Sequence, residues 1–244
     1  MKKMIVLAAT LLFLISCGGG GGSNSAGGNS ADRSNVSQIT EALLQPGSDD
    51  SLEGSWLYVG EVSETFSQGG GSGTYSGVWV ENYYIVDSGS TIDLIGCDGI
   101  VGPELFPEND GNVTLVWGEE EYFGVNSNNA LLDFGTNDFD YVEDGMTYAG
   151  QSTTAFVKLS SVIDNPVGVL NIDDTEVEIS CVRYANMLEV GFDGDRQQWY
   201  HAIFKSVDGQ SFYFFNEEIS SMDFSGRVIS ITFEDESKGL FTFY

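Results

Sequence analysis

A chain of 244 residues that is 41% hydrophobic and 13% aromatic carries enough apolar side chain for a packed core, which excludes global disorder. Its 37 acidic residues against 9 basic ones, a net charge of −28, exclude a surface that attracts nucleic acid or anionic lipid headgroups. Thirty-one glycines and four prolines beside so many aromatics favour short strands and tight turns over helices.

The chain opens with Lys2 and Lys3, then an apolar run over residues 4–15. Twelve residues are too few to cross a hydrocarbon layer of ~30 Å, which takes ~20, but they suit the core of a secretory leader. Leu14-Ile15-Ser16-Cys17 then resembles the lipobox of bacterial lipoproteins: an apolar first position, a small residue before the cut and a cysteine after it. That resemblance covers residues 1–17. It implies a removed signal peptide (1–16), a diacylglyceryl thioether on Cys17 and acylation of the new amino group, palmitate being a usual chain. Each buried CH₂ adds ~0.8 kcal/mol, so two or three chains hold a protein to a membrane for good. Gly18, in place of the aspartate that favours inner-membrane retention in enteric-type sorting, implies the outer membrane, on either face. Removing two lysines from a chain of −28 leaves a mature charge of −30, suited to salt-screened surroundings.

Residues 18–34 are almost all Gly, Ser, Asn and Ala, with five consecutive glycines. Such a stretch cannot offset its ordering entropy and behaves as a flexible coil reaching roughly 20–25 Å. Val36, Ile39, Leu43 and Leu44 have helical spacing, Ser34 or Asn35 can cap them, and Pro46-Gly47 stops them, which predicts a short helix over 36–45. The organisation expected is a lipid-anchored linker over 17–51 and an acidic β-domain over 52–244.

From Trp56 onward, period-2 patterns recur. In 227–234, Ile229, Ile231 and Phe233 alternate with Ser230, Thr232 and Glu234, and 154–159, 176–181 and 188–192 behave alike. Asp173-Asp174, Asp193-Gly194 and Asp208-Gly209 sit between such runs with the chemistry of two-residue type I′ turns. The stretch 167–244 therefore reads as a meander of roughly seven antiparallel strands. In the first half, 55–60, 73–86, 91–95, 113–117 and 147–150 are strand candidates, and the Asn-, Asp- and Gly-rich 126–145 reads as a long loop. The fold class expected is all-β, an antiparallel meander closing as a barrel or a two-sheet sandwich, because open edges invite aggregation. It forms one domain, or two split near residue 150.

With Cys17 committed to lipid, Cys97 and Cys181 remain in an exported chain, and a disulfide between them is the first reading. Closing 84 residues stabilises by about 4.5 kcal/mol in the chain-entropy treatment. Cys181 shares strand parity with Val177 and Ile179, which places it facing the core. His201 is the sole histidine and no G-x-S-x-G elbow accompanies it, so a nucleophile triad is not expected. Asp133, Asp138 and Asp140 head the best oxygen-rich stretch for calcium, although it does not match an EF-hand loop. Gly54-Ser55-Trp56 resembles the first-strand Gly-x-Trp of lipocalins, which implies an eight-stranded barrel plugged by Trp56 beside a cavity for a small apolar ligand; a Thr-Asp-Tyr counterpart and a helix after the barrel are absent. The leading expectation is a non-enzymatic binding or structural lipoprotein of the cell envelope, with no cofactor, a membrane partner through Cys17 and an open protein partner or ligand. The alternatives are a lipocalin-like carrier and a carboxylate-dependent hydrolase using calcium.

Overall fold

The computed structural model describes residues 34–45, 51–87, 92–96, 99, 101–117, 120–163 and 165–244. The leader 1–16, Cys17, the glycine-rich 18–33 and Cys97 lie outside them.

The described body begins with the expected helix, α1 (Asn35–Leu43). Ser34 caps it, its hydroxyl accepting from the Ser37 N–H at 3.2 Å. The i, i+3, i+7 spacing of Val36, Ile39 and Leu43 puts all three on one buried face. They join the main hydrophobic cluster, and the Asn35 amide and side chain donate to the Glu61 carboxylate at 2.9 and 2.7 Å. The packed body thus reaches back to Ser34, ahead of the start expected near Leu52, because the expected helix is docked on it.

Eight strands follow: β1 (Gly54–Gln68), β2 (Gly71–Asp87), β3 (Ile92–Gly96), β4 (Val101–Pro107), β5 (Val113–Trp117), β6 (Glu120–Ser127), β7 (Leu131–Glu143) and β8 (Met146–Ser160). Each pairs antiparallel with the next, and β8 returns to β1. They close an up-and-down barrel, the first of the two architectures expected for the meander. Its interior holds Trp56, Tyr58, Tyr83, Leu94, Leu115 and Phe156 among others.

Residues 126–145, expected as a loop, instead supply β7. The turn residues in that stretch flank the strand: Asn128 and Asn129 sit at φ 55° and 53°, Asp144 and Gly145 at 50° and 80°. Both pairs take the two positive φ values of a type I′ hairpin. A bulge between Asp133 and Gly135 uses Gly135 at φ 67°.

Seven more strands complete the chain, as the period-2 pattern predicts: β9 (Gly168–Ile172), β10 (Thr175–Val190), β11 (Arg196–Ser206), β12 (Ser211–Phe215), β13 (Ile219–Ser225), β14 (Val228–Phe233) and β15 (Lys238–Phe243). Their order is β12-β11-β10-β9-β15-β14-β13, and β10 also pairs with β2, joining the halves in one sheet. Asp173-Asp174 makes the expected type I′ turn, at φ 49° and 60°. At Asp193-Gly194 and Asp208-Gly209 only the glycine has positive φ, so those hairpins have longer loops ending in a left-handed glycine.

The main cluster explains the unbroken apolar run at the start of β1. Leu57 and Val59 face away from the barrel interior, with Val80, Ala155 and Val157, and pack against Val182, Tyr184, Ala202 and Phe204 of the second sheet. Trp56 and Tyr58 face inward. A strand buried on both faces loses polar alternation. The halves share this cluster, so the hydrophobic interior runs continuously through the break near residue 160.

Where β10 leaves β2 to pair with β9, the fully buried Asn82 fills the gap. Its Oδ1 accepts from the Val182 N–H at 3.0 Å, and its Nδ2 donates to Ser55 Oγ and Trp56 O at 3.4 and 3.3 Å. One amide on β2 thereby satisfies groups on β1 and β10 at the branch point.

Candidate functional site at the open end of the first barrel

β1, β2, β7, β8 and β10 have 13 to 17 residues, whereas β3 and β5 have five. The long strands overrun the short ones and carry a coiled sheet past one mouth of the barrel. Strand register places the side chains of its concave face in rows. One row crosses five strands as Phe139, Gly150, Glu64, Tyr75 and Glu189. The next, nearer the tip, is Tyr141, Tyr148, Phe66 and Gly73.

The two glycines are required by close approach. A Cβ at Gly150 would lie 2.3 Å from Ser63 O and 2.8 Å from the Glu64 Cβ; one at Gly73 would lie 2.3 Å from the Phe66 ring. Phe66 covers Gly73 and meets Phe192 edge-on with centroids 5.2 Å apart. Tyr141 and Tyr148 stack at 4.8 Å with planes 10° apart. Val62, Phe139 and Met187 form a small buried cluster against which Tyr75 and Tyr141 pack.

Glu64 is the polar centre. Burial holds its carboxyl above the usual carboxylate range. Tyr75 is pushed up to about 12, first by burial and then by the charges of Glu64 and Glu189. Tyr141 is raised to about 12 by burial and Glu64, and Tyr148 is raised by burial, with Glu143 and Glu64 adding. The phenols therefore stay protonated as donors, and Glu64 and Glu189 accept. The surface offers ring faces, hydroxyls and carboxylates, and the residues named carry no cation.

The candidates from sequence fall elsewhere. Trp56 is fully buried at the other end of the barrel, its Nε1 donating to Leu52 O at 2.8 Å and Lys158 Nζ lying 5.6 Å from its ring centroid. Tyr58 stands 5.0 Å from Phe156, and Phe134 is 5.8 Å from Phe156. These rings belong with Trp56 to the buried cluster inside the barrel. Asp133, Asp138 and Asp140 lie along β7 rather than around a loop. Asp133 accepts from the Gly135 N–H at 2.8 Å and Asp138 from Gln151 Nε2 at 2.7 Å. Among the described residues no group of three or more His, Cys, Asp or Glu is arranged to hold a metal ion.

His201 stacks on Phe215 at 5.0 Å, and its Nε2 is buried without a hydrogen-bond partner. Burial, with nearby Arg183, holds its pKa below the ordinary histidine value. Cys181 is buried and disulfide-bonded, while no disulfide joins two described residues. It does not share a face with Ile179, as simple alternation had it. A bulge between Ile179 and Cys181 turns Val182 to the core and Cys181 to the opposite face with Arg183.

Two clefts open outside the first barrel. One of about 230 Å³ lies between α1, β2, β10 and β13, and is lined by Ile39, Val78, Tyr184, Gln198 and Asp223. The other, about 270 Å³, is lined by Leu170, Ile172, Val177, Phe212 and Phe214. No helix among the described residues is long and apolar enough to cross a membrane.

No protein-family model matches the chain, and no curated protein does. Among solved structures, the crystal structure of a Nitrosomonas europaea protein described provisionally as AttH is similar, covering 80% of this chain and 94% of its own at 10% identity, with a TM-score of 0.22. So slight a likeness carries no argument about activity.

Sequence reading missed Glu64, Tyr75, Tyr141 and Tyr148. One signal was available: Gly73 and Gly150 interrupt strand-like runs, and a glycine inside a strand marks close approach.

Proposed function

We propose that this chain is a lipid-anchored protein of the cell envelope with a non-enzymatic binding body. In this reading residues 1–16 are removed, Cys17 carries the lipid, and the anchor sits in the outer membrane. The lipobox-like 14–17 after a short apolar run supports the anchor. Cys97 is the disulfide partner of Cys181. Continuing the register across β10, β2 and β3 aligns Cys181, Tyr83 and Gly96, the residue just before Cys97.

The observation that carries the binding role is the row of Glu64, Tyr75 and Glu189 beside the stacked Tyr141 and Tyr148. Half-buried rings with a few neighbouring hydroxyls and carboxylates suit an uncharged, hydroxylated ligand, a saccharide by chemistry. An anionic ligand would meet repulsion from two glutamates. Calorimetric titration of the mature chain with neutral oligosaccharides tests this. Binding that weakens about fivefold or more in Tyr148→Ala, a loss of at least ~1 kcal/mol, supports the reading. Absence of binding, or binding indifferent to Tyr141→Ala and Tyr148→Ala, overturns it.

One observation favours a second reading, a carrier of a small apolar ligand: the cleft of about 270 Å³ lined by Leu170, Ile172, Val177, Phe212 and Phe214. It would hold its ligand in the second sheet rather than beside Trp56. Acyl chains that co-purify with a Cys17→Ser chain and are lost in Phe214→Ala would favour it.

A further inference from the structure

We propose that β12 is the edge along which two copies of this chain pair, antiparallel and about a twofold axis at Tyr213. Among the described residues β12 bonds only to β11, which leaves its other side open. The Ser206 N–H donates to Gln210 O, and the ladder alternates from there. Phe212 and Phe214 therefore exchange bonds with β11, while Ser211, Tyr213 and Phe215 turn their N–H and C=O groups outward. Of these outward groups, the Phe215 carbonyl accepts from the Glu218 N–H.

Proteins blunt exposed edges with charge, proline or a bulge. The other free edge, β13, is guarded in that way: Asp223 lies within it, and its ladder is irregular between Ile219 and Ser221. In a chain of −28, the five residues of β12, Ser-Phe-Tyr-Phe-Phe, carry no charge, no proline and no bulge. Large rings also crowd the same hairpin face, with Trp199, Tyr213 and Phe215 exposed by 43%, 54% and 45%. Contiguous exposed aromatics on a monomer mark an interaction surface.

What selects a second copy as the occupant is the self-complementarity of the segment. Antiparallel pairing centred on Tyr213 sets Tyr213 opposite Tyr213, and Phe212 opposite Phe214 of the second copy, twice. Aromatic cross-strand pairs of this kind stabilise a sheet. Phe212 and Phe214 also line the apolar cleft of about 270 Å³, which the added strand would cover. The same register brings Asp208 of one copy toward Glu218 of the other, a like-charge approach at each end. A contact of five rungs flanked by aromatics lies at the small end of specific interfaces, so the dimer is concentration-dependent, and screening of the end charges strengthens it.

Sedimentation velocity of the mature chain carrying Cys17→Ser, from low to high micromolar concentration and in low and high salt, tests this. The expected result is a monomer–dimer equilibrium that shifts at least fivefold toward dimer in high salt. In Tyr213→Lys, an exposed substitution that places two cations at the axis, dimer should vanish while the thermal midpoint stays put. Glu218→Gln should raise the dimer fraction in low salt. A monomer at every concentration and salt would overturn the proposal. So would a dimer that Tyr213→Lys leaves intact, or one that salt dissociates. Because β12 lies apart from the Glu64 surface, saccharide binding by Tyr213→Lys reports separately on the function proposed above.

Discussion

At the scale of single residues, Glu64 and Asn82 show two ways of placing a polar group inside a β-protein. Burial raises the Glu64 carboxyl above the usual carboxylate range. In the unfolded chain it ionises at the ordinary carboxylate pKa; in the folded chain it holds its proton to higher pH. Its contribution to stability is therefore full below the ordinary value and is lost as pH rises through the folded one. Glu64→Gln should raise the thermal midpoint at pH 7, and the advantage should fade as pH falls below the ordinary carboxylate range. Thermal melts across that range check the sign. Asn82 is fully buried and fully used, so Asn82→Ala should cost about 1–3 kcal/mol in urea unfolding by orphaning the Val182 N–H and the Trp56 carbonyl. Neither residue was legible in the sequence. One glutamate among 37 acidic residues has no local signature, and Asn82 matters only because two pairings meet there. Trp56 was legible as a first-strand core residue, but not the cluster it belongs to, whose Tyr58, Phe134 and Phe156 come from three strands.

At the scale of elements, local periodicity served where strands are short and joined by tight hairpins, and failed where long-range pairing decides. The second half read as seven strands because each carries one apolar face. β7 was hidden because a strand that overruns the barrel alternates less, and its Asn-Asn and Asp-Gly turns blend with Asp133, Asn137, Asp138 and Asp140 between them. Cys181 was assigned to the wrong face because a bulge adds one residue to the count and flips everything after it. α1 was legible as a helix but not as part of the body, since its docking on β1 and β8 is a tertiary event. Leu43 is fully buried there, so Leu43→Ala should cost about 2–5 kcal/mol by urea midpoint. Leu44, exposed by 39%, should tolerate alanine within about 0.5 kcal/mol.

At the scale of the whole molecule, two halves share one hydrophobic cluster under an acidic surface. A net charge of −28 repels itself, and salt relieves that repulsion. The thermal midpoint of the monomeric Tyr213→Lys chain should rise between dilute buffer and 0.5 M salt on the order of several degrees; a flat response would mean that the charges are already spaced beyond mutual influence. The anchor itself is tested by the intact mass of the protein extracted from its native membrane, recorded with and without reductant. A mass of residues 17–244 plus two or three acyl chains, rising by two hydrogens on reduction, is the expected result. A mass matching an unlipidated chain would contradict the lipid anchor and leave a freely exported binding protein in its place.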